Sequence, residues 1–599
     1  MGLSHHGASL SQEYPAPSLP TSRHIRLVSL LPGSNDTIIC ELITADLDSA
    51  PHYEALSYTW GNPLDCRTIY IKTAEFGDAT EFQVTSNCFS ALRRLRLADR
   101  PRILWIDAVS IDQHNFPERN HQVTLMSQIY SGAAEVIIYL GESEDNCNLA
   151  IEFIIEVYNP NLETTTSLSY PKSEPLLLAL RSFFNRPWFS RVWVIQEATL
   201  SHRATVYCGD KVFPWSAVKS FHQWNASQKW LGRLPFVVTS SRASLTKSRP
   251  GKTMLKALIE TRYCAATDPR DKVYGLLPLL HAFDQELNLT PQYEDSVAKV
   301  YTDCAAALMT QERFELVLCA VQGGSDCNDL PSWVPDWRNE PKRTILGKNY
   351  DIPSDSAWAS NDVSGYSMRL TLSPPEPVLH MAGYSCGKVM KVGSTYLAGQ
   401  GTIPLDEWKA LLDKGPTQSL DADPDEASYT VKGFYAVICA ADFAYPLAIH
   451  QFVEGEKESA KGKQGSSWEA LVRRALRKRA DGSPSGNNGA LPLRDIPFRR
   501  AGVHLPPSYR IYVQRVLQHC HSRRFFVTDT GFMGLGPEET RVGDDVYASA
   551  GAKIPFILRE VDSGSKLQET SRFRLVGECY SESRTWRELG GEPRYLDIV

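Results

Sequence analysis

The chain has 599 residues, of which 42% are hydrophobic and 22% are charged, and its formal net charge is −6. This composition excludes a wholly disordered or fibrous protein, and the weak negative charge gives no reason to expect a nucleic-acid surface across the molecule. Because one hydrophobic core stops growing near roughly 250–300 residues, we expect two or three packed units.

The N-terminal segment, residues 1–22, is rich in Ser, Pro and His and lacks the apolar stretch of a secretory signal. We predict that it is disordered. The sequence contains no run of about 18 apolar residues, so no transmembrane segment is predicted. The thirteen cysteines contain no Cys-x-x-Cys pair, so neither a disulfide framework nor a metal site is expected. We therefore expect the protein in a reducing compartment, the cytoplasm, with the nucleus as the alternative.

Strands and helices alternate in the first half of the chain, a pattern typical of a parallel sheet covered by helices. A strand is predicted over 53–59, followed by a turn at Trp60-Gly61, and a helix over 86–97 capped by Ser86 or Asn87. The apolar run 103–106 predicts a buried strand that ends at Asp107. A helix over 118–133 and a strand over 136–140 complete a β-α-β unit.

The loop from Asp107 to Pro117 is the first place to look for chemistry. Right-handed crossover geometry places it at the carboxyl edge of the sheet, where open parallel sheets bind their ligands. Asp107, Asp112 and Gln113 could there contact a ribose or a phosphate. Asp and Asn also serve as turn formers and helix caps, so a structural role remains the alternative.

A second candidate is the segment 186–198, in which a helix starting near Trp188 would place Trp193 and Glu197 four residues apart on one face. That spacing joins an aromatic ring to a carboxylate. The structural alternative is an ion pair between Glu197 and Arg191 or Arg186. Trp60 and Trp193 are binding candidates if they line a pocket and core residues otherwise.

The rest of the chain gives weaker signals. Residues 231–452 are predicted to be mainly helical or mixed, and 453–490 a flexible insertion that carries a basic helix at 467–479. Residues 491–599 offer short apolar runs broken by Gly and Asp, typical of hairpins in a small barrel.

Three further patterns are interpreted as structural. Gly383-Tyr384-Ser385-Cys386-Gly387 matches the Gly-x-Ser-x-Gly elbow of hydrolases, but the residues after it alternate as a strand does. Residues 268–271 form a charged turn with an internal ion pair. Glu118 and Arg119 open a helix, where Glu favours the helix dipole.

Four blocks of the sequence resemble the fungal heterokaryon-incompatibility (HET) domain family. They are YEALSYTWG at 53–61, LWIDAVSIDQ with ERNHQVTLMSQIYSGAAEVIIYLGE through 104–142, RPWFSRVWVIQEA at 186–198 and ATDPRDKVYGLL at 266–277. RRFFVTDTGFMGLGP and PFILRE with FRLVGECY resemble the β-rich tail that often accompanies such domains. The chain departs from the usual pattern at Ser110, where the family frequently has cysteine, which weakens any thiol-based mechanism there.

The resemblance implies an α/β fold: an N-terminal TIR/flavodoxin-like parallel sheet with helices over 23–230, with core motifs at 53–198, followed by the mainly helical region and the β-rich C-terminal unit. It also implies allorecognition that triggers programmed cell death in fungi, with self-association on activation and an unknown incompatibility partner.

Some TIR domains cleave NAD with the glutamate of a Trp-x-x-x-Glu helix, and Trp193 to Glu197 has that spacing. The resemblance therefore implies Glu197 as the catalytic residue, with Asp107, Asp112, Gln113, Trp60, Trp193 and Arg191 as ligand contacts. NAD would be a substrate, and no cofactor is required. Two alternatives remain open: a non-catalytic adaptor that signals by self-association, and a relative that serves an unrelated regulatory role.

Overall fold

The computed structural model describes most of the chain, in ranges separated by short gaps and one long gap. The described residues are 14–72, 79–158, 173–228, 231, 234–240, 250–281, 287–311, 314–323, 329–346, 368–372, 377–397, 403–412, 434, 437–438, 516–550, 552, 554–561, 571–581 and 593–599. The basic helix predicted at 467–479 lies outside them. The chain divides into two compact units, residues 1–300 and 301–599.

The first unit is built on nine strands. They are β1 (His24–Leu30), β2 (Ile39–Asp46), β3 (Glu54–Tyr58), β4 (Cys66–Lys72), β5 (Thr80–Thr85), β6 (Arg102–Trp105), β7 (Glu135–Tyr139), β8 (Ala204–Cys208) and β9 (Lys211–Pro214).

Helices connect and cover these strands. They are α1 (Ser86–Leu95), α2 (Asp107–Ser110), α3 (Phe116–Gly132), α4 (Cys147–Tyr158), α5 (Glu174–Phe184), α6 (Val194–Leu200), α7 (Trp215–Gln228), α8 (Phe236–Thr239), α9 (Pro250–Thr261), α10 (Asp271–Tyr274) and α11 (Leu277–His281). A 3-10 turn, Pro187–Ser190, precedes α6.

The predicted parallel sheet is confirmed at the centre of this unit. The nine strands lie in the order β5-β4-β2-β1-β6-β3-β7-β8-β9, and the four strands β6, β3, β7 and β8 are mutually parallel. Counted along the chain, these four lie in the spatial order 2-1-3-4, the first four positions of the flavodoxin-like order. The predicted β-α-β unit is β6, α3 and β7, and β6 and β7 flank β3 on its two sides.

The sheet as a whole is mixed, because strands on both sides of this parallel centre pair antiparallel. β1 pairs antiparallel with β2 and with β6, β4 with β5, and β8 with β9. The connections β1–β2, β4–β5 and β8–β9 are short, and a short connection can join only antiparallel neighbours. The β8–β9 turn is two residues long, and its Gly209 has a positive φ of 58°.

Helix starts follow from local capping. Asn115 accepts a hydrogen bond from the backbone N of Glu118 at 3.1 Å, and Pro117 occupies the first turn of α3, where its missing N–H costs nothing. Thr85, rather than the expected Ser86 or Asn87, caps α1 by accepting from the backbone N of Cys88 at 3.4 Å. Both helices bury an apolar face on the sheet.

Ordered structure begins before residue 23, which corrects part of the disorder predicted for 1–22. The ring of Tyr14 packs edge-on against Phe82, and its hydroxyl donates to the backbone O of Val109 at 2.6 Å. The guanidinium of Arg26 lies over the same ring. An aromatic residue in a polar segment therefore anchors that segment on the sheet.

The second unit contains short helices and a β-rich structure. Its helices are α12 (Val297–Gln311, which begins at the end of the first unit), α13 (Phe314–Cys319) and α14 (Leu405–Ala410), and its strands are β10 (Arg369–Thr371), β11 (Val378–Val392), β12 (Arg523–Thr528), β13 (Met533–Pro537), β14 (Asp545–Ser549), β15 (Phe556–Glu560), β16 (Arg572–Glu578), β17 (Tyr580–Ser581) and β18 (Arg594–Ile598).

The predicted C-terminal barrel includes a strand from outside 491–599. The long strand β11 pairs with β14 and β18, and the pairs β14–β15, β15–β16 and β16–β18 close a ring of five strands. β12 and β13 extend the sheet from β11. The β-rich unit therefore takes in Val378–Val392, which the sequence division placed in the helical or mixed region, and the boundary drawn at 230 falls inside the first compact unit.

The position of the Gly-x-Ser-x-Gly motif within β11 shows that it is not a hydrolase elbow. Residues 383–387 lie inside one continuous strand, without the strand-to-helix turn that an elbow requires. The hydroxyl of Ser385 donates to Asp545 Oδ1 at 2.6 Å across the β11–β14 pair. The match to Gly-x-Ser-x-Gly is therefore accidental, as the alternating pattern indicated.

Gly383→Ala is expected to destabilise the barrel. A Cβ at Gly383 would lie 2.2 Å from the backbone O of Ala548 and 2.8 Å from Cα of Ser549, and neither backbone atom can move without opening the β11–β14 pair. Overpacking of this kind costs roughly 1–3 kcal/mol. Hydrogen exchange in β14 should accelerate. Gly132→Ala is the control, since its Cβ would meet only the hydroxyl of Tyr53 at 3.4 Å; equal exchange in β14 of both variants would contradict the prediction.

Candidate functional site

Asp107 lies at the carboxyl end of β6, as the sequence predicts. Its Oδ2 accepts a hydrogen bond from Trp60 Nε1 at 2.8 Å, and its Oδ1 accepts from the backbone N of Ala108 at 2.8 Å. Gln113 Nε2 donates to the backbone O of Asp107 at 2.9 Å. Trp60 follows β3, so the ends of two neighbouring parallel strands are joined through an indole and a carboxylate.

Glu197 lies beneath the same edge and is buried, with 1% of its surface exposed. Its Oε2 accepts a hydrogen bond from the hydroxyl of Ser57, a residue of β3. The Ser57 hydroxyl in turn accepts from Trp188 Nε1 at 2.8 Å. This chain of donors orients the carboxyl group of Glu197 from the sheet.

Arg191 brings a positive charge close enough to act on both acidic groups. Its guanidinium donates to the backbone O of Tyr58, the last residue of β3, and its charge acts on both Glu197 and Asp107. Burial raises the pKa of Glu197 to about 7, against the lowering influence of Arg191 and Ser57 and with a raising contribution from Asp107. Burial also raises the pKa of Asp107, opposed by Arg191 and Trp60. The two carboxyl groups are thus coupled electrostatically.

An open cavity of about 290 Å³ lies next to the turn that carries Trp60, and none of Glu197, Asp107 and Arg191 lines it. Its lining residues come from the turn after β3 and from the start of α1: Gly61, Asn62, Asp65, Ser86, Asn87 and Ser90. Ser86 Oγ donates to Asp65 Oδ1 at 2.6 Å, and the side-chain amide of Asn87 donates to the backbone O of Thr59. The lining offers hydroxyl, amide and carboxylate groups suited to sugar hydroxyls. Among the described residues, no group of three or more His, Cys, Asp or Glu side chains could hold a metal ion.

Asp112 and Glu118 do not join the cluster. Asp112 Oδ1 accepts from the backbone N of His114 at 3.0 Å, as a turn former does. Glu118 is paired with Arg26 at 2.6 Å and accepts from the backbone N of Asp112 at 2.8 Å. These contacts fix the shape of the loop that presents Asp107.

The residues of this cluster lie within a segment of the chain that is similar to a known family. Residues 53–197, which span the whole cluster from Ser57 to Glu197, match the family model described as heterokaryon incompatibility protein (HET). Residues 508–589 match the Het-6 β-barrel domain. The chain is 25% identical to heterokaryon incompatibility protein 6, OR allele, of Neurospora crassa, over 96% of each chain.

The chain carries a HET domain over residues 53–197.

No solved structure matches the chain. In the part of the chain that the structure describes, every helix is too short or too polar to traverse a bilayer.

Within the HET domain, the side chains of Trp193 and Glu197 have different partners. The helix begins at Val194, not near Trp188 as predicted, because Pro187–Ser190 forms a 3-10 turn and Trp193 precedes the helix. Trp193 Nε1 donates to Asp271 Oδ2 at 3.0 Å, whereas Glu197 turns toward Ser57. The backbone of Trp193 is helical and its carbonyl O accepts from the backbone N of Glu197 at 3.4 Å, so the two residues lie one helical turn apart as predicted, and only their side chains diverge.

The charged turn at 268–271 supports the HET domain from beyond its matched range. Asp268 pairs with Arg270 at 2.7 Å, as the sequence predicts. Asp271 is buried and accepts from Trp193 and from the hydroxyl of Tyr293 at 2.6 Å, and burial raises its pKa despite these donors. The segment before α6 is therefore held by residues up to 293.

The sequence reasoning missed two groups of the HET-domain cluster, the hydroxyl of Ser57 and the indole of Trp188 as its donor. Ser57 is a polar residue in an otherwise apolar buried strand, and a buried hydroxyl must find a partner, which is the one signal available in the sequence. Trp188 gives no signal of its own in the sequence, because a tryptophan in an apolar segment is most often a core residue. It is fully buried and has a hydrogen-bonding role as well.

Proposed function

We propose that this protein acts in heterokaryon incompatibility: it recognises non-self inside a fungal cell and triggers programmed cell death. The HET match, the Het-6 barrel match and the similarity to the Neurospora crassa incompatibility protein over nearly the full length of both chains support this assignment. Activation through self-association and contact with an incompatibility partner belong to the same proposal.

We further propose that the cluster around Glu197 cleaves the glycosidic bond of NAD or a related nucleotide. The observation that carries this proposal is a glutamate with a pKa near 7, held by Ser57 and electrostatically coupled to Arg191 and Asp107 at the carboxyl edge of a parallel sheet. Perturbed carboxyl groups in such a position are candidates for catalysis, and this edge of an open parallel sheet is where ligands bind.

The chemistry requires few protein groups. The bond between the ribose and nicotinamide breaks, the electron pair leaves with the neutral nicotinamide ring, and the ribose becomes an oxocarbenium ion. The ionised Glu197 would stabilise that cation, as carboxylates do in glycosidases. Water then adds to the ribose and releases a proton. The indole of Trp60, 37% exposed, offers a face on which a base can stack.

The burial of Glu197 favours a second candidate, a non-catalytic adaptor. In the structure its carboxyl group accepts a hydrogen bond from Ser57 and is shielded from solvent. A nucleotide could therefore reach it only after the site opens. In the enzyme proposal, self-association opens the site. In the adaptor proposal, Glu197 stays buried and the surface of the domain signals by protein contacts.

Nicotinamide release separates the two candidates. The purified full chain, at concentrations that allow assembly, is incubated with NAD, and Glu197→Gln is compared with Glu152→Gln, an exposed glutamate on α4. We expect Glu197→Gln to reduce release by roughly a hundredfold or more, since a positioned carboxylate contributes that much, and Glu152→Gln to leave it unchanged. Cell death that persists in Glu197→Gln cells without nucleotide loss would establish the adaptor instead.

A further inference from the structure

Two cysteines from distant parts of the chain meet at the carboxyl edge of the sheet. Cys147 opens α4 and Cys208 ends β8, and their sulfur atoms lie 3.9 Å apart. Both residues are buried, at 1% and 0% exposed. A disulfide bond is about 2.05 Å long, so a shift of about 2 Å, within reach of side-chain rotation, would join them.

The two thiols have opposite environments. Burial acts to raise the pKa of Cys147, but the Ser143 hydroxyl at 3.4 Å, the backbone at Glu144, Cys208 and the charge of Arg186 outweigh burial and lower the pKa. Burial raises the pKa of Cys208 to about 12. A thiol whose pKa is lowered, within 3.9 Å of one whose pKa is raised, is the arrangement of an attacking and a resolving cysteine.

An open cavity of about 430 Å³ lies against the start of α4. It is lined by the residues on both sides of Cys147: Ser143, Glu144, Asp145, Asn146, Asn148 and Leu149. Cys147 itself does not line the cavity, but its neighbours Asn146 and Asn148 do, so a small polar oxidant can come close to this residue. The other buried thiols at Cys40, Cys88 and Cys304 have a pKa raised to about 12 by burial, so Cys147 differs from them.

Gly209 makes the approach of the two loops possible. A Cβ at this position would lie 2.8 Å from Cβ of Ser143 and 3.0 Å from its backbone N, and the residue has a positive φ. The backbone N of Gly209 also donates to the backbone O of Gly141 at 2.9 Å. The turn after β8 is thereby fixed against the segment that precedes Cys147.

We propose that Cys147 and Cys208 form a reversible disulfide when the protein meets a peroxide. The Cys147 thiolate attacks one peroxide oxygen, the O–O bond breaks, and the leaving hydroxide takes up the proton lost by the thiol, which yields a sulfenic acid and water. The Cys208 sulfur then attacks the sulfenic sulfur, the S–S bond forms, the S–O bond breaks, and a second water carries away the Cys208 proton. Two thiols are oxidised and one peroxide is reduced.

Peptide mapping of the full chain tests the proposal. Purified protein is reduced, treated with hydrogen peroxide, alkylated and digested without reductant. We expect a peptide pair joined through Cys147 and Cys208, lost on treatment with dithiothreitol. In Cys208→Ser, a dimedone adduct should accumulate on Cys147 that the parent lacks, and in Cys147→Ser neither the linked pair nor an adduct on Cys208 should form.

Two internal references keep the result interpretable. Cys66 is exposed and should oxidise in every sample, while Cys304 is buried and should stay reduced. The mapping of the parent protein needs no variant, so misfolding cannot account for its outcome. Oxidation of Cys66 with Cys147 and Cys208 still alkylated as free thiols would overturn the proposal, as would oxidation of Cys304 to the same extent as Cys147.

Discussion

Glu118→Ala is expected to destabilise the first unit by about 3–5 kcal/mol, the cost of leaving a buried charge without its partner. Glu118 accepts from both terminal nitrogens of Arg26, at 2.6 and 3.0 Å, and also holds the backbone N of Asp112. Arg26 is 1% exposed, and its Nε already has no hydrogen-bond partner among the described residues. Removing the carboxylate would leave the buried guanidinium without its negatively charged partner.

Hydrogen exchange in β1 and α3 measures this effect, because the two partners lie on those elements. A loss of this size corresponds to an increase of about a hundredfold or more in exchange governed by opening of the unit. The double variant Arg26→Met with Glu118→Leu should recover much of the protection, since an apolar pair avoids the desolvation cost. Asp48→Asn, which breaks the exposed pair with Arg23, serves as the control and should leave exchange unchanged.

The same residues show why the Asp107 loop could be located from sequence but its internal contacts could not. The apolar run before Asp107 and the helix after Pro117 are local patterns, and they predict a β-α-β unit with the loop at the sheet edge. The partner of Glu118 is Arg26, which lies on a strand formed much earlier in the chain. Helix-start statistics favour Glu at that position for its dipole alone, so no local pattern distinguishes the buried pair.

The candidate site illustrates the same limit. Asp107 could be selected because it follows a buried strand, and Glu197 because the resemblance to the Trp-x-x-x-Glu helix of TIR domains implies it. The partner of the Trp193 side chain could not be predicted, because it depends on a 3-10 turn and on Asp271, which lies far along the chain. The contact of Ser57 with Glu197 spans 140 residues and requires the sheet order to be known first.

The barrel was predicted as hairpins because its turns are local, yet its closure depends on β11. That strand reaches its partners β12, β14 and β18 only after a long intervening stretch of chain. Alternation of apolar and polar residues in 378–392 identifies a strand but not the sheet to which it belongs. Membership of a sheet is therefore a tertiary property, and the sequence division at 452 could not anticipate it.

Glu197→Gln is expected to stabilise the first unit at alkaline pH, by about 3 kcal/mol relative to the parent protein. The ordinary pKa of 4.5 is raised to about 7 in the fold, and each pKa unit corresponds to about 1.36 kcal/mol. Below about pH 4.5 the carboxyl group is protonated in both the folded and the unfolded chain. Between 4.5 and 7 the unfolded chain ionises while the folded chain retains its proton, so stability falls as the pH rises, and above 7 the full penalty applies.

Glutamine removes this penalty because it never ionises and still accepts a hydrogen bond from Ser57. The difference in thermal midpoint between Glu197→Gln and the parent should therefore be small near about pH 4, grow up to about pH 7 and then stay constant. Glu152→Gln changes an exposed glutamate and should give a difference that does not follow this course. A Glu197→Gln difference that is flat across the same range would mean that Glu197 ionises as freely in the fold as in water, and the electrostatic basis of the candidate site would be lost.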